Sequence, residues 1–356
     1  MNLSHFPLTP HDHQLAVLER LLTPFPAVRF MNWQQINLSK WDSRAPVREW
    51  DDLPQVNSNW RYEVGPWGAW AGVPLAELIR LANKLSVRPW MCIPNTASDQ
   101  LIAQMVSFVI EHCDRRPIIE FSNEIWNPIF MQHHHSAESG ADMAEKPFQC
   151  ALRWQAQQTR KIAKAAQGSA DVVVCGQFFN QWVIEQLLEG CGDVIDAIGV
   201  APYLGRKQRA IEEVNGEWQM RDMQEMADEV SAEVATDITD RFRGFKRLAD
   251  RHGLRLFAYE GGMHQIARND HGRTAFEREK AALLTFNRSI HAGNNTRQLW
   301  IAWQENGGEI ACPYSLSTVF EQQNTFFGHC ELHQKEIRML PKYLSARDVL
   351  GMHLTL

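Results

Sequence analysis

The sequence predicts an α/β fold, a TIM-type (β/α)8 barrel with a missing or atypical first strand, formed by a single domain over residues 1–356. Three observations predict it. Seven short apolar runs, near residues 28, 90, 119, 173, 197, 256 and 300, alternate with helical stretches. These runs are near-continuously apolar, as parallel strands covered on both faces are. Two of them end in an acid, Asn123-Glu124 and Glu260-Gly261-Gly262. A barrel gathers its functional groups at the C-terminal ends of its strands, and 356 residues is an ordinary length for one.

Taken in order, His11 to Leu22 is expected to be the first helix, with Leu15, Leu18, Leu21 and Leu22 on one face and Pro24 and Pro26 stopping it. Ala27 to Trp33 reads as a strand. Residues 34–72 form a long irregular stretch rich in Trp, Asn and Asp, and a connection that long inside a domain is usually functional. Pro74–Leu85 reads as a helix and Pro89–Pro94 as a strand. Ser98 to Cys113 is an amphipathic helix with Ser98 as its N-cap. The run Ile118-Ile119-Glu120-Phe121 follows and delivers Ser122-Asn123-Glu124-Ile125-Trp126-Asn127. Residues 130–144 read as irregular or short-helical and Pro147–Ala166 as a helix broken by Gly168 and Ser169. Asp171–Gln177 and Val194–Tyr203 read as buried strands around a short helix, Trp182–Leu188. Residues 220–252 are helical and charge-laced, Leu254–Tyr259 is a strand, and a loop and helix run to Ala292. Gln298–Trp303 reads as the last strand, before a final helix from about Gln334 to Leu350. The chain opens on a helix, so the strand that is wanting is the first; either residues 1–7 supply a poor one or the barrel lacks it.

Composition narrows the function. The chain is 44% hydrophobic and 22% charged, enough apolar material for a sizeable core. Its net charge of −6 and the lack of a basic run argue against a nucleic-acid partner. No apolar run approaches the ~20 residues of a membrane span. The N-terminal residues carry neither a basic stretch nor an apolar one, so no signal peptide is expected there and the compartment stays open. The seven Cys are scattered with no paired spacing, which favours reduced buried thiols over a disulfide frame or a zinc site. No cofactor is expected: there is no Gly-rich phosphate cradle and no metal-ligand spacing. His133-His134-His135 invites a metal, but three consecutive His cannot converge on one point of a helix or strand, and a solvated turn or one at the rim of the site is the favoured reading.

The expected strand ends carry two carboxylates, several amides, a phenol and indoles. That set suits acetal chemistry. One Glu protonates the leaving oxygen and the other attacks the anomeric carbon; in a retaining mechanism their carboxyl groups lie about 5–5.5 Å apart. Glu124 and Glu260 are the candidate pair. Asn32, Trp33, Asn95, Asn123, Trp126, Tyr203, His264 and Trp303 are the candidate substrate contacts, since aromatic rings stack on sugar faces and amides bond hydroxyls. Six Trp fall between Trp33 and Trp70, of which one or two are expected to act as a sugar platform. Arg29, inside an apolar strand, needs a partner if buried, and a carboxylate within the barrel is the expected one. The charged run from Arg221 to Asp250 reads as a solvated helix face.

The blocks Val28–Trp33, Glu120–Asn127, Ala201-Pro202-Tyr203 and Ala258–Gly262 resemble glycoside hydrolase clan A, and in particular bacterial clan A-like proteins often labelled cellulose-binding or secreted. The resemblance covers about residues 11–350. It implies that Glu124 is the acid/base, that Asn123 bonds the sugar 2-hydroxyl, that Glu260 is the nucleophile and that Tyr203 orients it. It implies an oligo- or polysaccharide as substrate and leaves the sugar, the linkage and the oligomeric state open. The alternative is a non-catalytic carbohydrate-binding barrel that keeps the cleft and has lost turnover.

Overall fold

The computed structural model describes residues 1, 14–38, 46–56, 72–318, 320, 324–333 and 336–351. Six parallel strands form one curled sheet in the order β1-β2-β3-β4-β5-β9: β1 (Ala27–Arg29), β2 (Arg88–Ile93), β3 (Ile118–Phe121), β4 (Asp171–Cys175), β5 (Ala197–Val200) and β9 (Arg255–Ala258). Two short pairs and one small three-stranded sheet lie outside it. β6 (Tyr203–Leu204) pairs in parallel with β10 (Gly262–Met263), β7 (Ile211–Val214) with β8 (Glu217–Met220) in a hairpin, and β11 (Ser317–Thr318) with β12 (Cys330–His333), which is followed by β13 (Glu336–Met339). The helices are α1 (Gln14–Leu22), α2 (Leu75–Leu85), α3 (Asp99–His112), α4 (Met131–Ser139), α5 (Pro147–Ala166), α6 (Trp182–Cys191), α7 (Met223–Glu233), α8 (Thr239–Arg251), α9 (Gly272–Arg288), α10 (Ile290–Glu305) and α11 (Pro341–Leu350).

The strands are apolar throughout because both of their faces are covered. Along β4, Val172 and Val174 pack outward against the helices while Val173 and Cys175 pack inward. The inner cluster draws Ala27, Trp90, Ile118, Val173, Ala197, Phe257 and Ile310, one from each strand in turn around the barrel. Arg29 and Glu120 fall in register with that inner set, which is why a cation and an anion occupy the middle of an apolar barrel.

The seam is closed by short pieces of chain. Ile310 O accepts from Ala258 N at 2.8 Å and Cys312 N donates to Ala258 O at 2.8 Å, so residues 309–312 lie beside β9. On the far edge, Met1 O accepts from Arg29 N at 3.0 Å and the terminal ammonium donates to Ala27 O at 3.0 Å. The first strand expected within residues 1–7 lies, beyond Met1, outside the described residues.

The last strand is not Gln298–Trp303. That segment is the C-terminal half of α10, which Ser289 caps through its hydroxyl. Leu299, Trp300 and Trp303 are buried there at helical spacing, and a short apolar run cannot be told from a buried helix by periodicity alone. The segment that lies beside β9 comes after the turn, at Glu309–Cys312, and is irregular chain joined to β9 by a single bridge, Ala258 to Ala311. The stretch expected to be helical over 220–252 is α7 and α8, which run on from one another through a π-helical turn at Val234–Ile238. The expected final helix begins at Pro341, after a hairpin. Hairpin β7–β8 turns at Asn215-Gly216, with φ of +54° and +81°, the residue pair that favours such a turn. His11–His13, Trp41, Trp60, Trp67 and Trp70 lie outside the described residues; Trp50 is in a short 3-10 turn against Phe108, ring to ring at 5.2 Å.

Candidate active site

Arg29 organises the carboxylates. It is fully buried, and its guanidinium meets Glu120 through Nε (3.1 Å) and Nη2 (2.8 Å), Glu260 through Nη1 (3.1 Å) and Asn123 Oδ1 through Nη2 (2.8 Å). Its plane lies near the rings of Trp90 (5.8 Å) and Tyr259 (5.1 Å). Glu120 also accepts from the Trp90 indole at 2.6 Å, so both its oxygens are held. A planar, always-charged fork is the side chain that can satisfy two carboxylates and an amide together. The partner expected for Arg29 is therefore double, Glu120 beneath and Glu260 at the rim.

At the end of β3 the backbone turns sharply. Ser122 and Glu124 adopt φ of +59° and +44°, unusual for residues with a Cβ. The double turn directs Asn123 back to Arg29 while Glu124 meets Tyr259 and Asn127. Glu124 accepts from the Tyr259 hydroxyl at 3.0 Å and from Asn127 Nδ2 at 2.8 Å. At the end of β9, Glu260 accepts from the Tyr203 hydroxyl at 2.6 Å. Gly261 follows with φ of +152°, and a Cβ there would lie 2.9 Å from the Trp300 ring and 3.0 Å from the Pro202 carbonyl. The two glycines are thus needed to carry the chain from β9 into its pairing with β6, which sets Tyr203 opposite Gly262.

Both carboxyls are pushed upward, chiefly by burial. Glu260 rises to about 7; the Arg29 charge opposes the rise, the Glu124 charge adds to it and the Tyr203 hydrogen bond opposes it. Glu124 is raised against the bonds from Asn127 and Tyr259. Arg29 touches Glu260 and not Glu124, so the first negative charge of the pair belongs on Glu260 and the remaining proton on Glu124.

The other expected contacts divide. Tyr203, His264, Phe327 and Tyr314 form a half-buried aromatic wall, with ring centres 4.9 Å apart for Tyr203–His264, 4.8 Å for His264–Phe327 and 5.7 Å for Tyr314–Phe327. Asn32 Nδ2 lies 3.5 Å from the Tyr314 hydroxyl. Burial lowers His264 to about 4, leaving its ring neutral. Asn123 gives one amide hydrogen to Asn37 (2.8 Å). Trp126 is half-buried against the core. Asn95 is engaged within the protein, receiving the Ser136 hydroxyl at 2.9 Å and meeting His135 Nδ1 at 2.8 Å.

Two expected contacts are corrected. Trp33 is fully enclosed in the core beside Phe30, because β1 ends at Arg29 and the following turn folds the indole inward. Trp303 is fully buried on α10 against Phe242, since its segment is helix and not a strand end. Neither presents a face to a ligand. Sequence reasoning missed Tyr259, Tyr314 and Phe327; Tyr259 adjoins Glu260 and inward alternation along β9 points to it, whereas nothing local marks Phe327. Among the described residues, no group of three or more His, Cys, Asp or Glu could hold a metal, and no helix is long and apolar enough to cross a membrane. The three histidines of α4 go separate ways, His133 to the Ile125 carbonyl, His134 to that of Pro128 and His135 to Asn95.

No family model matches the sequence, and no curated protein matches it. Solved structures do. An arabinofuranosidase is similar at 12% identity and a TM-score of 0.58, over 97% of this chain and 68% of that one. The α-L-arabinofuranosidase of Thermotoga maritima in its arabinose complex is similar at 12% identity and a TM-score of 0.57; the match covers 95% of this chain, which spans only 63% of that enzyme. β-Glucosidase 2 of the fungus Trichoderma reesei is similar at 10% identity and a TM-score of 0.53, over 97% of this chain and 88% of that one. At such identities the likeness establishes the fold, the α/β barrel that the sequence predicts, and its neighbours are glycoside hydrolases.

Proposed function

We propose that the chain, as one barrel domain, is a retaining glycoside hydrolase that cleaves O-glycosidic bonds in an oligo- or polysaccharide. The observation that carries this reading is the split environment of two strand-end glutamates, Glu260 on a guanidinium and Glu124 on neutral donors only. Near neutral pH the pair holds about one proton, placed on Glu124. In the first step Glu124 gives that proton to the glycosidic oxygen as Glu260 attacks the anomeric carbon; the C–O bond to the leaving group breaks and a glycosyl ester forms on Glu260. In the second step Glu124, now a carboxylate, takes a proton from water, whose oxygen displaces Glu260. Tyr203 and Arg29 orient Glu260 and hold its charge. Asn123, Asn32, Trp126, Tyr203 and His264 are the sugar contacts, and the neighbours' substrates make arabinofuranosides and β-glucosides the first to try.

The test is turnover of 4-nitrophenyl glycosides and polysaccharides by the protein, Glu124→Gln and Glu260→Gln. Loss of the acid should cost about 10²–10⁴-fold in kcat, less with a good leaving group. A 2-deoxy-2-fluoro glycoside should leave its sugar on Glu260, read by peptide mass spectrometry. Undiminished turnover in either variant, or an adduct on another residue, would overturn the assignment.

A further inference from the structure

Just beyond Tyr203 in the chain lies a patch of arginines that the reaction above does not use. Arg206 follows β6 by two residues and is exposed. Its guanidinium lies 4.4 Å from the centre of the Phe179 ring, beyond the end of β4, and Arg241 lies 4.8 Å from the same ring. Arg241 is neutralised by Asp237 at 2.9 Å. Arg209, in the same loop, is held by Asp270 at 2.7 Å and by the buried Glu279 at 2.9 Å. Arg206 has no carboxylate partner among the described residues. The Glu233 carboxylate nearby accepts from the Gly205 N–H at 2.9 Å. Arg268 adds a fourth guanidinium, which donates to the Arg206 carbonyl at 2.8 Å and fixes that turn. The Arg206 charge extends to His264 and helps to keep it neutral.

A protein of net charge −6 therefore keeps, near Tyr203 and His264, an exposed cation with no carboxylate in salt-bridge contact among the described residues, the Glu233 charge acting on it only from a distance. The aromatic stack holds the guanidinium in place before any ligand arrives, so little side-chain freedom remains to be lost on binding. A planar fork in that position matches a carboxylate, with two parallel N–H donors. We infer that Arg206 is a specificity-determining contact for a carboxylate carried by the glycan, so that the substrate class is an acidic oligosaccharide bearing a uronate near the bond that is cut. This rests on the reading of the cleft as a sugar site.

The test measures binding apart from turnover. Two probes, a glucuronate-bearing xylo-oligosaccharide and an oligogalacturonate, are each titrated beside the carboxyl-reduced form into the Glu124→Gln variant by calorimetry at low salt. The acid form of at least one pair should bind about tenfold more tightly than its reduced form, as one desolvated charge-assisted pair permits. That ratio should fall towards one with Arg206→Gln added, survive in large part with Arg206→Lys, and shrink in 0.3 M salt. Unchanged melting temperatures would show that the variants fold. Equal affinity for acid and reduced forms in both pairs, no binding of any probe, or a preference that persists in Arg206→Gln would each overturn the inference. Hydrolysis of neutral glycosides without acid preference would remove Arg206 alone and leave the glycosidase reading standing. Acid-selective binding without hydrolysis of any glycoside would do the reverse.

Discussion

Replacing Glu260 with Gln should make the protein more stable, and only above about pH 5. In the folded chain burial raises this carboxyl from 4.5 to about 7, even with Arg29 at 3.1 Å. The folded state therefore binds more protons than the unfolded state between those values, and stability must fall as pH rises across that window. The stabilising contribution is whole below 4.5 and gone once the pH has passed through 7. A rise of that size, at 1.36 kcal/mol per unit, corresponds to about 3 kcal/mol. Gln keeps the shape and carries no charge to bury, and Arg29 retains Glu120 as its partner. At an unfolding entropy of about 2.1 cal/mol/K per residue, 3 kcal/mol over 356 residues is a gain of about 4 °C. The assay is thermal unfolding of both proteins from pH 4.5 to 8.5, read as the difference at each pH so that other titrating groups cancel. The difference should be near zero at the acid end, open through pH 5–7 and reach its plateau by pH 8. A variant equally or less stable at pH 8, or a difference that does not vary with pH, would refute the claim that a charge is held at Glu260 against its environment.

Other substitutions test the supports. Arg29→Met leaves Glu120 and Glu260 buried without their cation and should cost about 3–5 kcal/mol in chemical denaturation. Tyr203→Phe removes a hydrogen bond that holds Glu260 down, so the acid limb of the pH–rate profile should move to higher pH by up to about one unit; a shift the other way would contradict the assigned bond. Gly261→Ala sets a side chain against Pro202 and the Trp300 ring at a φ of +152°, and should cost about 2–3 kcal/mol and reduce kcat with it. Asp171, at the opposite end of the barrel, pairs with Arg88, Arg116 and Arg255, which hold its carboxyl well below the usual range. Asp171→Asn should cost about 3 kcal/mol. Since the native pKa is depressed, that loss should be full above pH 3.8, shrink steadily as the pH falls below it and close only in stronger acid, as seen in urea midpoints.

The barrel was legible because each strand is covered twice. Val172, Val173 and Val174 need an apolar neighbour on both sides, and a run with no polar alternation says so in one dimension. The same simplicity misled at Gln298–Trp303, where Leu299, Trp300 and Trp303 satisfy a helix face as readily as a strand. The true closing segment, Glu309–Cys312, is too short and ordinary to announce itself. The two glutamates were legible because a carboxylate directly after a buried strand has few structural uses. Arg29 was legible as a problem, a cation in an apolar run, but its solution needed three strands in register: β1 to hold it, β3 to bring Glu120 and β9 to bring Glu260. Phe327 and Tyr314 were beyond reach for a different reason. They enter the site from the loops on either side of β11, and loop placement follows from contacts far away in sequence, such as His264 against Phe327, and not from any local period. The carboxylates and their cation are residues whose burial is costly, and these stand out against their surroundings; half-buried aromatics and exposed arginines look the same in a sequence whether they face a ligand or only water.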